Sequence, residues 1–434
     1  MACIICFLSD EFQENLRNIS QQRAEKFEDV ISEYKANFIL EFDHLEPVHF
    51  CPIHNGYNDD AQKLASDYHI SLKKLEGTSD FFDAIQNVYE IWIDGNIKQS
   101  IERLSEIIEE YNLLYQANKT DKRIFFKGRL SKPYLSTEEI YHIPHNKRYL
   151  ISNQRYSLTG QPIIYLGLSV LDVFAELKVS KENFQDINFS SFIFKNLDET
   201  LNLFDFTSDF ESSISELNYS SMLSKFLDPQ SLDETNIKRK FFKFILISLC
   251  SFRRRRESEN WSFCEEYVLP QLVTENAKEK KFEGILFYST RINKSLAYSD
   301  ESVYVSRYKE NVALFTKYNK RENYDKTLID KFEISKPLKY QDIIKIDSAE
   351  LERIRKQINE REAKVKKQGT LAPLASYADG LTTTSFEKLM VQSFDNDSYL
   401  VYKNHPIGHM HYYLLYQILL TIRNKLTDDN NSKP

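Results

Sequence analysis

The chain has 434 residues, 41% of them hydrophobic and 28% charged, with a formal net charge of −7. That length supports two or three domains with a sizeable buried core, and the composition excludes a disordered or collagen-like chain. The acidic balance argues against nonspecific nucleic-acid binding by the chain as a whole. No run of about eighteen apolar residues offers a membrane span, so neither nucleic acid nor membrane is an expected partner. The opening MACIICFLSDEFQENL has no basic region ahead of its apolar residues and turns acidic within ten residues, so it does not read as a signal peptide. Five cysteines, at positions 3, 6, 51, 250 and 264, are too unevenly spread for a disulfide framework. The expectation is a cytoplasmic protein.

Residues 1–120 read as a helical N-terminal domain. Ile97, Ile101, Leu104, Ile108, Tyr111 and Tyr115 recur at spacings of four and three, the stripe of a helix that buries one face. Phe81, Ala84, Ile85, Val88 and Ile91 form a second such face. Cys3-x-x-Cys6, followed later by His49, Cys51 and His54, contains ligand pairs at the spacing of a zinc site. Against zinc, the residues between the first two cysteines are Ile4 and Ile5, and no Gly or Pro turns the chain there. The expectation is that these cysteines pack as small hydrophobes and that no metal is bound.

The polar run QANKTD, 116–121, marks a boundary, and residues 121–346 read as a second domain. Ile163, Ile164, Tyr165 and Leu166 form a β-prone run between Gly160-Gln161-Pro162 and Gly167, which predicts a buried strand. A helix follows. Ser169 is a good N-cap, Asp172 lies in the first turn, and Leu171, Phe174, Ala175 and Val179 share a face. Glu176 sits among them, and a carboxylate there is costly to bury unless a cation or donor meets it. Arg155 and Tyr165, from the segment leading into and forming the strand, stand near enough in sequence to serve. A structural ion pair and a functional carboxylate both satisfy this pattern.

Further along, Leu203-Phe204-Asp205-Phe206 reads as strand, with a helix near Met222. A helix over 238–252 carries Phe241, Phe244, Ile245 and Leu249 and ends in Arg253-Arg254-Arg255-Arg256. Arginines there cap carbonyls and sit in water, or grip a pyrophosphate with their planar forks; the solvated reading is the expectation. Gly284 to Tyr288 reads as a buried strand that delivers Ser289. Residues 347–434 read as a helical C-terminal extension. Asp347-Ser348-Ala349-Glu350 is a capping box, and Leu351, Ile354, Ile358 and Val365 follow a heptad seam, expected to pack on its own chain rather than on a second copy. His405, His409 and His411 have no carboxylate close by, and Pro406 and Gly408 break the helix that ligation would need, so no metal is expected there either.

Several short motifs, in order, resemble the RES family, named for an Arg, a Glu and a Ser. Arg155-Tyr156-Ser157-Leu158-Thr159-Gly160-Gln161-Pro162 is similar to its R-[YW]-[SN]-x-x-G-x-P run. Ile164-Tyr165-Leu166-Gly167-Leu168-Ser169 is similar to its [LI]-Y-x-[GA]-x-S strand, and Glu176 follows eleven residues after Tyr165. Phe125-Phe126-Lys127-Gly128-Arg129 resembles the opening aromatic-Arg strand, and Tyr141-His142-Ile143-Pro144 the F-H-I-P of one branch. Tyr267-Val268-Leu269-Pro270-Gln271 and Glu283-Gly284-Ile285-Leu286-Phe287-Tyr288-Ser289 resemble Y-x-x-P-Q and D-G-I-x-Y-x-S, with Phe287 where Tyr is usual and Tyr288 where Pro is usual. The N-terminal helices resemble the HEPN-like domains that accompany some RES proteins, although no Arg is followed by His at the spacing of active HEPN nucleases.

The resemblance implies an α+β architecture, with an ADP-ribosyltransferase-like mixed sheet between helical N- and C-terminal regions. It also implies an enzyme that takes NAD as substrate and breaks its nicotinamide-ribose bond without a metal. Nicotinamide leaves as a neutral ring and positive charge develops on the ribose, so the chemistry needs a carboxylate close by. Carried over residue by residue, the catalytic set is Glu176, Arg129, Tyr165 and Ser289, and the NAD-binding set is Arg155, Lys127, Tyr156 and Ser169. The implied activity is glycohydrolysis or phosphorolysis by a toxin or anti-phage effector. Transfer of ADP-ribose to a protein or nucleic acid, and a catalytically dead interaction module, stand as alternatives. An antitoxin or other defence-system protein, and a second copy of the chain, are the partners the resemblance brings with it.

Overall fold

The computed structural model describes residues 2–56, 59–114, 125–168, 183–195, 200–207, 234–255, 263–290 and 310–343, together with Val173, Glu176, Leu177 and Ala349. The fold is of the α+β class. Helices dominate the N-terminal part, and among the described residues eight strands form one sheet in the order β4-β5-β6-β2-β1-β3-β7, with β8 beside β3. The strands are β1 (Phe125–Leu130), β2 (Ile163–Gly167), β3 (Ile187–Phe194), β4 (Leu203–Phe206), β5 (Gly284–Tyr288), β6 (Glu310–Phe315), β7 (Phe332–Ile334) and β8 (Leu338–Lys339). Among the described residues no helix is long and apolar enough to cross a membrane. The sequence expectations for Met222, the heptad seam and the C-terminal histidines lie outside the described residues.

By its packing the chain divides into two units, neither of them continuous in sequence. One comprises 1–116, 152–159 and 204–285, and the other 117–151, 160–203 and 286–434. This differs from a division at residue 120, because a segment of eight residues and a later stretch with two helices pack with the N-terminal helices rather than with their sequence neighbours.

The first unit holds α1 (Ile4–Phe7), α2 (Asp10–Arg23), α3 (Phe27–Asp43), α4 (Asp59–Lys73), α5 (Thr78–Ile93) and α6 (Ile97–Glu110). Ser9 caps α2 by accepting from the Phe12 amide, and Asp10 and Glu11 in the first turn favour the dipole. The predicted face of α5 is buried at Phe81, Ile85 and Val88. On α6 the buried face is Ser100, Leu104, Ile107 and Ile108, rotated from the predicted stripe, and Ile97 is exposed. The rotation has a polar cause: the Ser100 hydroxyl donates to the Val88 carbonyl at 2.9 Å, which satisfies both groups while the two helices pack closely.

Among the described residues this unit also holds two helices that follow α7 (Thr137–Ile140) in the chain, α8 (Glu234–Leu249) and α9 (Val268–Glu279). Its core is aromatic. Phe252 meets Phe27 and Tyr34 at 5.3 and 5.4 Å between ring centroids, and Phe242 meets Phe81 at 4.8 Å. Such edge and tilted contacts are worth roughly 0.5–1.5 kcal/mol each beyond area burial. Of the described arginines after α8, Arg253 is exposed and Arg255 is half-buried, and both are ion-paired. Arg253 pairs with Glu14 at 2.6 Å, and Arg255 pairs with Glu265 and Glu266 while donating to the carbonyls of Ala24 and Glu25.

In the second unit β1 lies between β2 and β3 and pairs antiparallel with both, while β2 pairs antiparallel with β6. One face of this sheet carries Phe125, Ile164, Leu166, Phe192, Phe194, Val312 and Leu314, which close a core with Ile140, Tyr141, Leu328 and Phe332. The capping box of α7, with Ser136 and Glu139 each bonded to the other's amide, starts the turn that brings Ile140 and Tyr141 onto this face.

Candidate functional site

The other face of the sheet holds the candidate site. Gly128 of β1 is opposite Tyr165 in the β1–β2 register, and Tyr165 is opposite Ala313 on β6, two residues from Asn311. Side chains alternate along a strand, so Tyr165, Ala313 and Asn311 leave the sheet on the side of Gly128. The stretch containing Glu176 is helical at Val173 and Glu176 and lies directly on that glycine. A Cβ at position 128 would stand 2.7 Å from Val173 Cγ1 and 2.8 Å from Leu177 Cδ1. The missing side chain therefore lets the backbone that carries Glu176 settle onto β1.

Glu176 is exposed, yet its carboxylate is held in place. Ser289 is fully buried at the end of β5 and donates its hydroxyl to Glu176 Oε1 at 2.7 Å. The Asn311 amide, buried on β6, reaches the same oxygen at 3.5 Å, a weaker contact. A hydrogen bond from a buried hydroxyl fixes the direction of an exposed carboxylate. Tyr165 is half-buried on the same sheet face, its ring edge-on to Phe287 at 6.4 Å between centroids. Sequence motifs pointed to Glu176, Tyr165 and Ser289, and the fold brings Glu176 and Ser289 into contact and sets Tyr165 on their side of the sheet. Asn311 was missed, and its only sequence signal is an amide ahead of the apolar run Val312-Ala313-Leu314.

Lys127 and Arg129 are placed differently. Flanking Gly128 on a regularly paired strand, they leave β1 on the opposite face. There the Lys127 ammonium donates to the Tyr165 carbonyl at 3.3 Å, and Arg129 donates to the Glu139 carbonyl at 2.7 Å. Desolvation, with the Arg129 charge as a smaller cause, lowers the Lys127 pKa to about 8. His142, from the motif Tyr141-His142-Ile143-Pro144, is buried on this side too. Its Nδ1 donates to its neighbour's carbonyl at 2.6 Å and its Nε2 accepts the Asp325 amide at 3.0 Å. Burial lowers its pKa to about 4, so the ring is neutral and structural.

Arg155 and Tyr156 belong to the helical unit. The Arg155 guanidinium donates to the carbonyl of Cys250 and to that of Phe252, the latter at 2.9 Å, and lies over the Tyr267 ring at 5.1 Å. It caps the end of α8. Tyr156 is buried beside Phe206, with ring centroids 6.5 Å apart. Gln271 of α9 ties this loop down, its side-chain amide donating to Asn153 Oδ1 and to the carbonyls of Gln154 and Ser157 at 2.8 and 3.1 Å. Ser169 lies outside the described residues.

The chain is 26% identical over 312 residues to a Bacillus subtilis (strain 168) protein named "Putative toxin YopC", a match covering 67% of this chain and 64% of that protein. The aligned region thus spans less than two thirds of the relative's length. No family model matches the chain. No solved structure matches it.

Proposed function

We propose that the protein is an NAD-degrading enzyme that cleaves the nicotinamide-ribose bond and acts as a toxin by removing NAD from the cell. The observation that carries this reading is the exposed Glu176, its carboxylate oriented by the buried Ser289 hydroxyl on the sheet face that also presents Tyr165. As nicotinamide departs, the bonding pair leaves with the ring nitrogen and the ribose C1 becomes electron-poor. A fixed anion beside that carbon lowers the barrier, because its orientation is settled before the charge appears. Water or phosphate then adds to C1, and Glu176 orients it in the manner of carboxylates in glycoside hydrolysis. Ser289 acts on the carboxylate and is no nucleophile in this scheme. Tyr165 offers a ring face and a hydroxyl to the nicotinamide end. Lys127 and Arg129 support β1 from behind.

Similarity to a protein named as a toxin supports the biological part of the reading. An antitoxin or another defence-system protein that restrains the activity belongs to the same proposal. The deciding experiment incubates the purified chain with NAD, with and without phosphate, and identifies products by mass spectrometry. Release of nicotinamide together with ADP-ribose indicates glycohydrolysis, and ADP-ribose phosphate appearing only with phosphate indicates phosphorolysis. Intact NAD after prolonged incubation with excess enzyme would remove the proposal.

A further inference from the structure

Cys3, Cys6, Cys51 and His54 come from two places in the N-terminal sequence and meet at one point, their ligand atoms all within 4.8 Å of one another. Cys3 precedes α1 and Cys6 stands one turn later on it, so helical geometry supplies the close approach that an apolar Cys-Ile-Ile-Cys loop could not. Ile4 and Ile5 turn inward and are buried, which accounts for their presence between the two cysteines. Cys51 follows a 3₁₀ turn at Val48–Phe50, and its carbonyl accepts the amides of His54 and Asn55 at 3.3 and 2.9 Å. This tight turn sets Cys51 and His54 side by side. Backbone pairing of Cys3 with Glu46, including Glu46 N–H to the Ala2 carbonyl at 3.0 Å, holds the two segments in register.

Five of the six separations match the edges of a tetrahedron, and all six lie within 4.8 Å. Cys3 and Cys6 sulfurs are 3.9 Å apart and those of Cys6 and Cys51 3.6 Å, while His54 Nδ1 lies 3.3, 3.4 and 3.4 Å from the three sulfurs. Zinc bonds of about 2.3 Å to sulfur and about 2.0–2.1 Å to nitrogen imply tetrahedral edges of roughly 3.7 Å between sulfurs and roughly 3.5 Å from sulfur to nitrogen. Hydrogen bonding alone does not account for this cluster, because one imidazole nitrogen carries either a single proton or a single lone pair and cannot serve three thiols at once. A cation at the centre satisfies all four groups. Burial of Cys3 and Cys51, at 0% and 1% exposure, fits a closed site rather than a reactive one.

We propose that Cys3, Cys6, Cys51 and His54 bind one structural zinc ion that clamps the N-terminus to the segment following α3. Three thiolates and an imidazole select a soft or borderline metal, and with four protein ligands no position remains for substrate. The ion is independent of the NAD reading.

The test uses the full chain purified under reducing conditions without chelator. Elemental analysis should find about one zinc per chain, and Cys6→Ser and His54→Ala should each lose it, whereas Cys250→Ser should keep it. Because ligand variants can misfold, the wild-type chain is also exchanged into cobalt(II), which should give thiolate charge-transfer absorption and the intense visible bands of a tetrahedral centre. No metal in the native chain even after incubation with zinc, octahedral cobalt spectra, or a Cys6–Cys51 disulfide found by mass spectrometry would overturn the proposal.

Discussion

The corner around Arg155 in the helical unit and the corner around Glu176 in the sheet unit use charge in opposite ways. Arg155 spends its guanidinium on two carbonyls at the end of α8 and on the face of Tyr267. Glu176 accepts from the Ser289 hydroxyl and remains exposed. A charged group whose directional capacity is consumed by the protein serves the fold, and one oriented but still accessible is equipped to meet a ligand. Both residues come from a single stretch of 22 positions. Only the fold separates them.

The sharpest break of this contrast is Glu176→Gln, which keeps shape and loses charge. NAD turnover should fall by about a hundredfold or more while the melting temperature stays put, since the side chain is exposed. Near wild-type turnover would deny Glu176 its role.

His142 extends the comparison to the buried side of the sheet, where a polar ring is tied to its neighbours no less fully than Arg155. The unfolded histidine takes a proton near pH 6.5, but the folded one, desolvated and bonded at both nitrogens, does so only near pH 4. His145 and Lys127 add smaller unfavourable charges, and Asp325 and the Ile143 carbonyl oppose them. Between these values the unfolded chain binds the extra proton, so stability is fully present above the window and declines as pH falls through it. The slope is about 1.4 kcal/mol per pH unit. Denaturant titrations at several pH values, on the wild type and on His142→Gln, should differ by that slope, and parallel curves would contradict the assignment.

Arg155→Lys keeps the charge and discards the fork. With one or both carbonyls left unmatched it should cost about 1–3 kcal/mol of stability, seen as a lower denaturation midpoint, with the Michaelis constant for NAD little changed. A normal midpoint combined with weakened NAD binding would return Arg155 to the substrate. The smallest effect is expected of Ser289→Ala, which removes one hydrogen bond to the carboxylate. A loss of about tenfold in kcat is the expectation, because a hydrogen bond to a charged group is worth about 1.5 kcal/mol. A loss as large as that of Glu176→Gln would mean that Ser289 touches the substrate itself.

Local pattern made much of the fold readable. The run Ile163 to Leu166 between turn residues is β2, the run after Glu283 is β5 with Ser289 at its end, and the apolar faces of α5 and α8 were evident in their spacing. Strand alternation was also implicit in Lys127-Gly128-Arg129, yet a linear motif does not say that its glycine faces one side and its cations the other. Contacts between distant residues were beyond reach. Ser289 and Glu176 stand 113 positions apart, and Gln271 reaches a loop more than a hundred residues earlier. No periodicity encodes such meetings, because they are made by the sheet order and by helices returning to the core. Cys3 to His54 illustrates the same limit: the ligand types and pair spacings were visible, but their convergence required the Cys3–Glu46 pairing.

The interleaving of the two units bears on how such a chain is inherited and handled. A block cut out between residues 121 and 346 would carry α8 and α9 but leave behind α3 and α5, whose Phe27, Tyr34 and Phe81 cover Phe252 and Phe242. Those rings would then face water, and a large exposed aromatic patch favours aggregation. Recombination or truncation at that boundary would therefore be expected to yield insoluble fragments, while an exchange that preserved all three pieces of the helical unit would not. The loop 152–159, only eight residues long, packs in one unit with helices far from it in sequence, so a substitution in either bears on the packing of both.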